Sequence, residues 1–190
     1  MAYRLALDHP DRIDRLAVLD ILPTSTVWQR ADARLALGYW PWSLLAQPEP
    51  LPERLIEAAP DAVVNNALCA WGSSPAAFGP HVRMMYIEAL SDPAHVHAIC
   101  EEYRAAATLD REHDDADRKS GRRIACPLLA LWSGQGALNN WYVEAGGPLA
   151  LWRDWADDVQ GFPLDAGHFF PEEIPKETAK ALRRFFAARA

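Results

Sequence analysis

Cysteine is scarce in these 190 residues: there are three, Cys69, Cys100 and Cys126, with no C-x-x-C pair. That spacing excludes a disulfide framework and a zinc site, and suits reduced thiols in a cytoplasmic protein. Positive charge is also short. Nineteen Lys and Arg stand against 26 Asp and Glu, a net charge of −7, with no basic patch, which argues against a nucleic-acid partner. No apolar run approaches the ~20 residues of a membrane span, so no membrane partner is expected. No signal-peptide core follows Met1. No glycine-rich phosphate loop occurs, so no cofactor is expected. A Gly-x-Ser-x-Gly or Gly-x-Asp-x-Gly turn, the kind that presents a nucleophile between a strand and a helix, is absent as well. Asp114, Asp115 and Asp117 lack the glycine-containing, regularly spaced loop of a calcium site and read as solvated. His95-x-His97, with His81 or His113, is the one metal-like grouping. Its i,i+2 spacing does not put two side chains on one helix face, so no metal is expected.

What is present is apolar and sharply punctuated. Half of the chain is hydrophobic, enough for one core and a single globular unit. The fifteen prolines mark element ends, and eight tryptophans stand out. Residues 1–9 read as a helix stopped by Pro10, and 11–15 as a turn. Residues 16–21, LAVLDI, form a short apolar run that reads as a strand buried on both faces, ending on Asp20. An acid at the C-terminal end of a buried parallel strand is where open α/β sheets keep ligand chemistry.

The strand pattern then disappears from 24 to 121. Helices are expected over 27–37, 52–58, 60–71, 80–90 and 93–110, with an aromatic, Pro41-interrupted stretch at 39–45 and a charged connector at 113–123. Most Trp and Tyr side chains there read as core packing. The sheet pattern returns with a strand over 124–132, a turn at 133–136, a helix over 148–156 with Trp152 and Trp155 in the core, a strand over 159–164 and a closing helix over 176–189. The order strand, helical insertion, strand, helix, strand, helix predicts a parallel-sheet α/β fold.

The segment LDAGHFFPEE, 164–173, joins the last strand to a helix. Pro171 suits a first helical turn, and Glu172 and Glu173 suit the positive end of a helix dipole. His168 therefore sits on a tight strand-to-helix loop, where a side chain can face a substrate.

Five segments carry a family resemblance: LALDHPDRIDRLAVLDILPT (5–24), WSLLAQPEPLPERLI (42–56), CEEYRAAA (100–107), REHDDAD (111–117) and LDAGHFFPEE. Together they resemble the haloacetate (fluoroacetate) dehalogenases of the α/β-hydrolase superfamily, end to end. The second and third are the most specific. The resemblance implies the C-terminal part of an α/β-hydrolase: three parallel strands with flanking helices, a partial core at 1–23 and 122–190, and a helical cap, or lid, at 24–121. It implies a small-molecule substrate, a haloacid or an ester-like compound, and a homodimer.

Displacing halide in such a family takes a carboxylate nucleophile, a His that activates water against the resulting ester, and an acid that orients the His. His168 fits the base. The fold has two usual places for the orienting acid. Residues 133–143, after the second strand, contain no Asp or Glu, whereas the first strand ends on Asp20. The resemblance also implies a halide cradle of His, Trp and Tyr. Trp42 and Tyr103 match two of its positions, but Pro41 stands where the His is expected; Trp40, one turn away, is a substitute N–H. The nucleophile turn is expected about four residues before Met1, together with arginines that clamp a substrate carboxylate. Three readings follow: a dehalogenase-type hydrolase whose recorded sequence begins late, a non-catalytic remnant whose open sheet edge binds a partner, or a related epoxide hydrolase or esterase with a miscalled start.

Overall fold

The computed structural model describes residues 2–188. Its centre is a three-stranded parallel sheet in the order β1 (Leu16–Leu19), β2 (Leu128–Ser133), β3 (Val159–Leu164). Leu16 registers with Leu128, and Leu128 with Val159. β2 is central and buried at every position, as its unbroken apolar run requires. β1 pairs with β2 alone among the described strands.

Alternation on β1 builds two layers, because successive side chains leave a strand on opposite faces. Leu16 and Val18 join Leu128, Ala130, Trp132, Trp152 and Trp155 on one side. Ala17 and Leu19 join Leu129, Leu131, Phe170 and Phe185 on the other. Trp152 and Trp155 are essentially inaccessible and core-packed. Each large apolar side chain of this kind contributes roughly 1.5–3 kcal/mol of burial. Their indole N–H groups donate to Ile21 O at 3.0 Å and Thr26 Oγ1 at 3.1 Å, clamping the chain where it leaves β1. Helix α1 (Ala2–Asp8) lies against the first layer through Tyr3, Ala6 and Leu7.

Helices fill the chain from Thr24 to Ser120, between β1 and β2. The expected helix over 27–37 is two helices, α2 (Thr24–Gln29) and α3 (Ala33–Gly38). Asp32 separates them, capping the second by accepting Arg34 N–H at 2.8 Å and Leu35 N–H at 3.3 Å. The short helix α4 (Pro41–Leu44) follows. Then come α5 (Leu51–Ala58), α6 (Pro60–Leu68), α7 (Pro80–Leu90), α8 (Pro93–Ala107) and α9 (Leu109–Ser120). Leu45, Ile56, Val96 and Cys100 form a separate small core within them.

Helix α9 corrects the expectation of a charged connector at 113–123. Asp110 and Glu112 stand in its first turn, Arg118 and Lys119 in its last, and Gly121 closes it in the left-handed region at φ +70°. Asp114 and Asp117 are not solvated either. Both are buried. Asp114 accepts Tyr3 O–H at 2.9 Å and Ser25 N–H at 3.0 Å, while Asp117 pairs with Arg4 and with Arg122 at 3.1 Å. Their partners come from α1, α2 and the loop after α9, so a charge-rich stretch hides a polar face inside the molecule.

Strand ends also move. β1 stops at Leu19, and Asp20 turns to φ +50°. The strand expected from 124 begins at Leu128, with Ile124 forming a lone bridge to Ala156; Pro127, inside the expected run, has no N–H to give to a sheet ladder. The helix expected over 148–156 is shorter. It is α11 (Gly147–Arg153), and α10 (Ala137–Trp141) precedes it in the stretch after β2. After β3 come α12 (Phe170–Glu173) and α13 (Pro175–Ala187). Met1 and Arg189, at the ends of two expected helices, lie outside the described residues. Among the described residues no helix is long and apolar enough to cross a membrane, and no group of three or more His, Cys, Asp or Glu could hold a metal ion.

Candidate active site

Asp20 leaves the C-terminal end of β1 in the left-handed region, which Asp tolerates better than most residues. Its N–H remains in the sheet ladder, donating to Leu131 O at 2.8 Å. Its carboxylate is buried. Oδ1 accepts Ser133 N–H at 2.9 Å, from the end of β2. Oδ2 lies 2.6 Å from His168 Nδ1. Ser133, expected only as a turn residue, is thus fully buried and holds the acid. A carboxylate is an acceptor only, so Nδ1 carries a hydrogen in this contact.

The His168 loop is gripped by the turn that follows α6. His168 N–H donates to Trp71 O at 3.1 Å. Ser73 O–H donates to Glu173 Oε1 at 2.7 Å, and the other oxygen of Glu173 accepts Gly167 N–H at 3.2 Å. The two backbones touch: a Cβ at Gly167 would overlap the N and Cα of Ser73. Trp71 itself sits at φ +56°, an unfavourable conformation for a bulky side chain. Its indole N–H donates to Gly38 O at 2.6 Å, and its ring stacks on Tyr39 at 4.7 Å between centroids. Trp71 and Phe169 both meet the His168 ring edge-on.

These residues border a cavity of about 300 Å³ whose wall includes Asp20, Tyr39, Trp42, Tyr103, Trp141 and His168. Four of these are legible as candidates in the sequence, and the structure brings Asp20, His168, Trp42 and Tyr103 to one void. Trp42 and Tyr103 meet edge-on at 6.3 Å. Burial, and then the charge of Glu102, raise the Tyr103 pKa, so its phenol stays a neutral donor. Apart from His168, the charged residues on the wall are the acids Asp20, Glu102 and Asp110. Pro41 is buried. Trp40 does not replace the missing His, because its indole N–H donates to Asn66 Oδ1 at 2.8 Å. Tyr39, Trp71 and Ser133 are not singled out by the sequence, and Glu173 is noted there only for its place at a helix start. The dense aromatic run at 39–42 is the only local signal for Tyr39.

No family model matches the chain. It is similar to a fluoroacetate dehalogenase of Burkholderia sp, 38% identical over 97% of this chain and 59% of that protein. It is also similar to a soluble epoxide hydrolase of Corynebacterium sp. (strain C12), 24% identical over 98% of this chain and 63% of the relative. Among solved structures, a provisionally assigned α/β hydrolase from Nostoc sp PCC 7120 superposes with a TM-score of 0.91 at 45% identity, over 99% of this chain and 62% of that one. A Pseudomonas aeruginosa protein, provisionally assigned as an epoxide hydrolase and solved with bound MFA, gives a TM-score of 0.87 at 39% identity, over 97% and 61%. The chain therefore spans about three fifths of the length of the relatives it matches.

Proposed function

Because the chain belongs to the α/β-hydrolase superfamily, as a homologue of a fluoroacetate dehalogenase and the C-terminal portion of that fold, we propose that it supplies the water-activating half of a hydrolase that displaces halide from a haloacid. The observation that carries this reading is the 2.6 Å contact between Asp20 Oδ2 and His168 Nδ1 at the wall of the cavity. In the proposed reaction a carboxylate attacks the halogen-bearing carbon, the C–X bond breaks with its electron pair going to halide, and an enzyme ester forms. His168 Nε2 then takes a proton from water, whose oxygen attacks the ester carbonyl, and Asp20 stabilises the imidazolium; the acyl C–O bond breaks, the leaving alkoxide takes the proton back as the hydroxy acid departs, and the carboxylate is restored. Trp42 N–H and Tyr103 O–H are the proposed donors to the departing halide. The attacking carboxylate is proposed to come from the part of the fold that lies outside this sequence.

A second reading is hydrolysis of an epoxide or ester. It is favoured by the wall itself, whose carboxylates Glu102 and Asp110 repel an anionic substrate while Tyr103 can donate to a neutral oxygen. The test is expression of the coding sequence extended upstream to include a Gly-x-Asp-x-Gly turn, followed by halide-release assays on haloacetates and turnover assays on epoxides and esters. Halide release that disappears in His168→Ala and Asp20→Asn supports the first reading. Epoxide or ester turnover without halide release selects the second. Activity untouched by either substitution would discard both.

A further inference from the structure

Resting on the halide-site reading above, we propose that the Tyr39 hydroxyl is a third donor to the anion held by Trp42 and Tyr103. The starting point is how this fold uses its aromatic polar hydrogens. The indole N–H groups of Trp28, Trp40, Trp71, Trp132, Trp152 and Trp155 each donate to an oxygen of the protein. The hydroxyls of Tyr3 and Tyr86 donate to Asp114 and Glu172. Among the described residues, Trp42, Trp141, Tyr103 and Tyr142 have no such partner, and all four line the cavity that also holds Asp20 and His168. These N–H and O–H donors are left free for an acceptor that arrives from outside, either an anion or an oxygen with lone pairs.

Tyr39 belongs with these four, although its oxygen is 2.9 Å from His168 Nδ1. Asp20 Oδ2 is closer to the same nitrogen, at 2.6 Å. A ring nitrogen offers one hydrogen or one lone pair, and the carboxylate can only take the hydrogen. With Nδ1–H directed at Asp20, the Tyr39 oxygen can accept only a share of it. Its own O–H hydrogen is then without an acceptor among the described residues. The phenol stays protonated, because burial and then the Asp20 charge hold its pKa well above the ordinary tyrosine value. Its ring is fixed by Trp71 on one face and by the edge contact with Trp141 at 5.8 Å. The backbone N–H of Trp42 donates to the Tyr39 carbonyl at 3.1 Å, so one short, tightly turned segment carries two of the three donors.

The test is an NMR titration of the 190-residue protein, labelled with ¹⁵N at its indoles, with sodium bromide. A saturable shift of the Trp42 indole resonance is expected. Tyr39→Phe keeps the ring and its stacking; it should raise the apparent bromide Kd roughly tenfold or more, the size of a hydrogen bond to a charged group. The low-field Nδ1 proton of His168 and the far-UV circular dichroism should be unchanged in that variant. Unchanged bromide affinity in Tyr39→Phe, with Tyr103→Phe weakened, would overturn the inference and leave the halide site standing. Loss of the His168 proton together with affinity would overturn it too, making Tyr39 a support for the imidazole. No saturable shift in the unsubstituted protein, or none lost in Tyr103→Phe, would instead bring down the halide-site reading itself.

Discussion

Asp20 and His168 stand 148 positions apart in the chain, and their side chains meet at 2.6 Å. The contact is made at the C-terminal edge of the sheet, where β1 delivers the acid and the loop after β3 delivers the imidazole. Asp20→Asn keeps the size of the side chain and an acceptor for Ser133 N–H, but it can no longer compel Nδ1 to carry the proton. The low-field imidazole proton should vanish from the ¹H NMR spectrum while the fold persists. Any hydrolysis served by His168 should slow by about four orders of magnitude, the loss found when an orienting acid of this type is neutralised.

Asp114 ties α9 to α1 and α2 through Tyr3 O–H and Ser25 N–H. Asp114→Ala leaves the buried Ser25 N–H without an acceptor and removes one of the Tyr3 partners. It should cost about 2–4 kcal/mol, read from urea unfolding. Asp114→Asn keeps one acceptor oxygen and should cost less.

Stability should depend on pH through two aspartates in opposite senses. Hydrogen bonds from Arg4 hold the Asp8 pKa below the usual carboxylate value. Its contribution is present above the unfolded pKa and is lost as pH falls through the folded one. Burial raises the Asp114 pKa, so its contribution is largest below the unfolded pKa and is lost as pH rises through the folded one. Urea midpoints measured from about pH 3 to pH 7 should show the Asp8→Asn deficit growing with pH and the Asp114→Asn deficit shrinking.

Gly167 has no room for a side chain. Gly167→Ala should force the His168 loop away from the Ser73 backbone, destabilising the protein by about 1–3 kcal/mol. The low-field His168 proton should weaken with it. Gly79→Ala, where a Cβ meets nothing within 4 Å, should change neither and serves as the control.

Two of the three strands are legible as short continuous apolar runs, the mark of buried parallel strands; 159–164 matches β3 at both ends although Gln160, Gly161 and Pro163 interrupt it and only Leu164 is buried. Other boundaries drift where a backbone device overrules the pattern: the left-handed turn at Asp20, Pro127 in the second run, and the Asp32 cap. Asp20 and His168 can be singled out because each follows a strand. Helix α9 is obscured by its charge, since composition does not disclose that Asp114 and Asp117 face partners more than 80 residues away. Tyr39 and Trp71 carry no periodic or motif signal. Their importance lies in a stacked pair and a positive φ, both created by tertiary contact.

Trp71 has one more consequence. Its carbonyl, at a positive-φ turn residue, accepts the amide N–H of His168, so the backbone that carries the imidazole is tied to the turn after α6. Swapping the helical insertion that holds this turn for one of another shape, a common way to redirect a scaffold toward new compounds, would also re-aim the His168 imidazole. A graft on this framework keeps its aim only if the turn at 71–73 travels unchanged with the sheet.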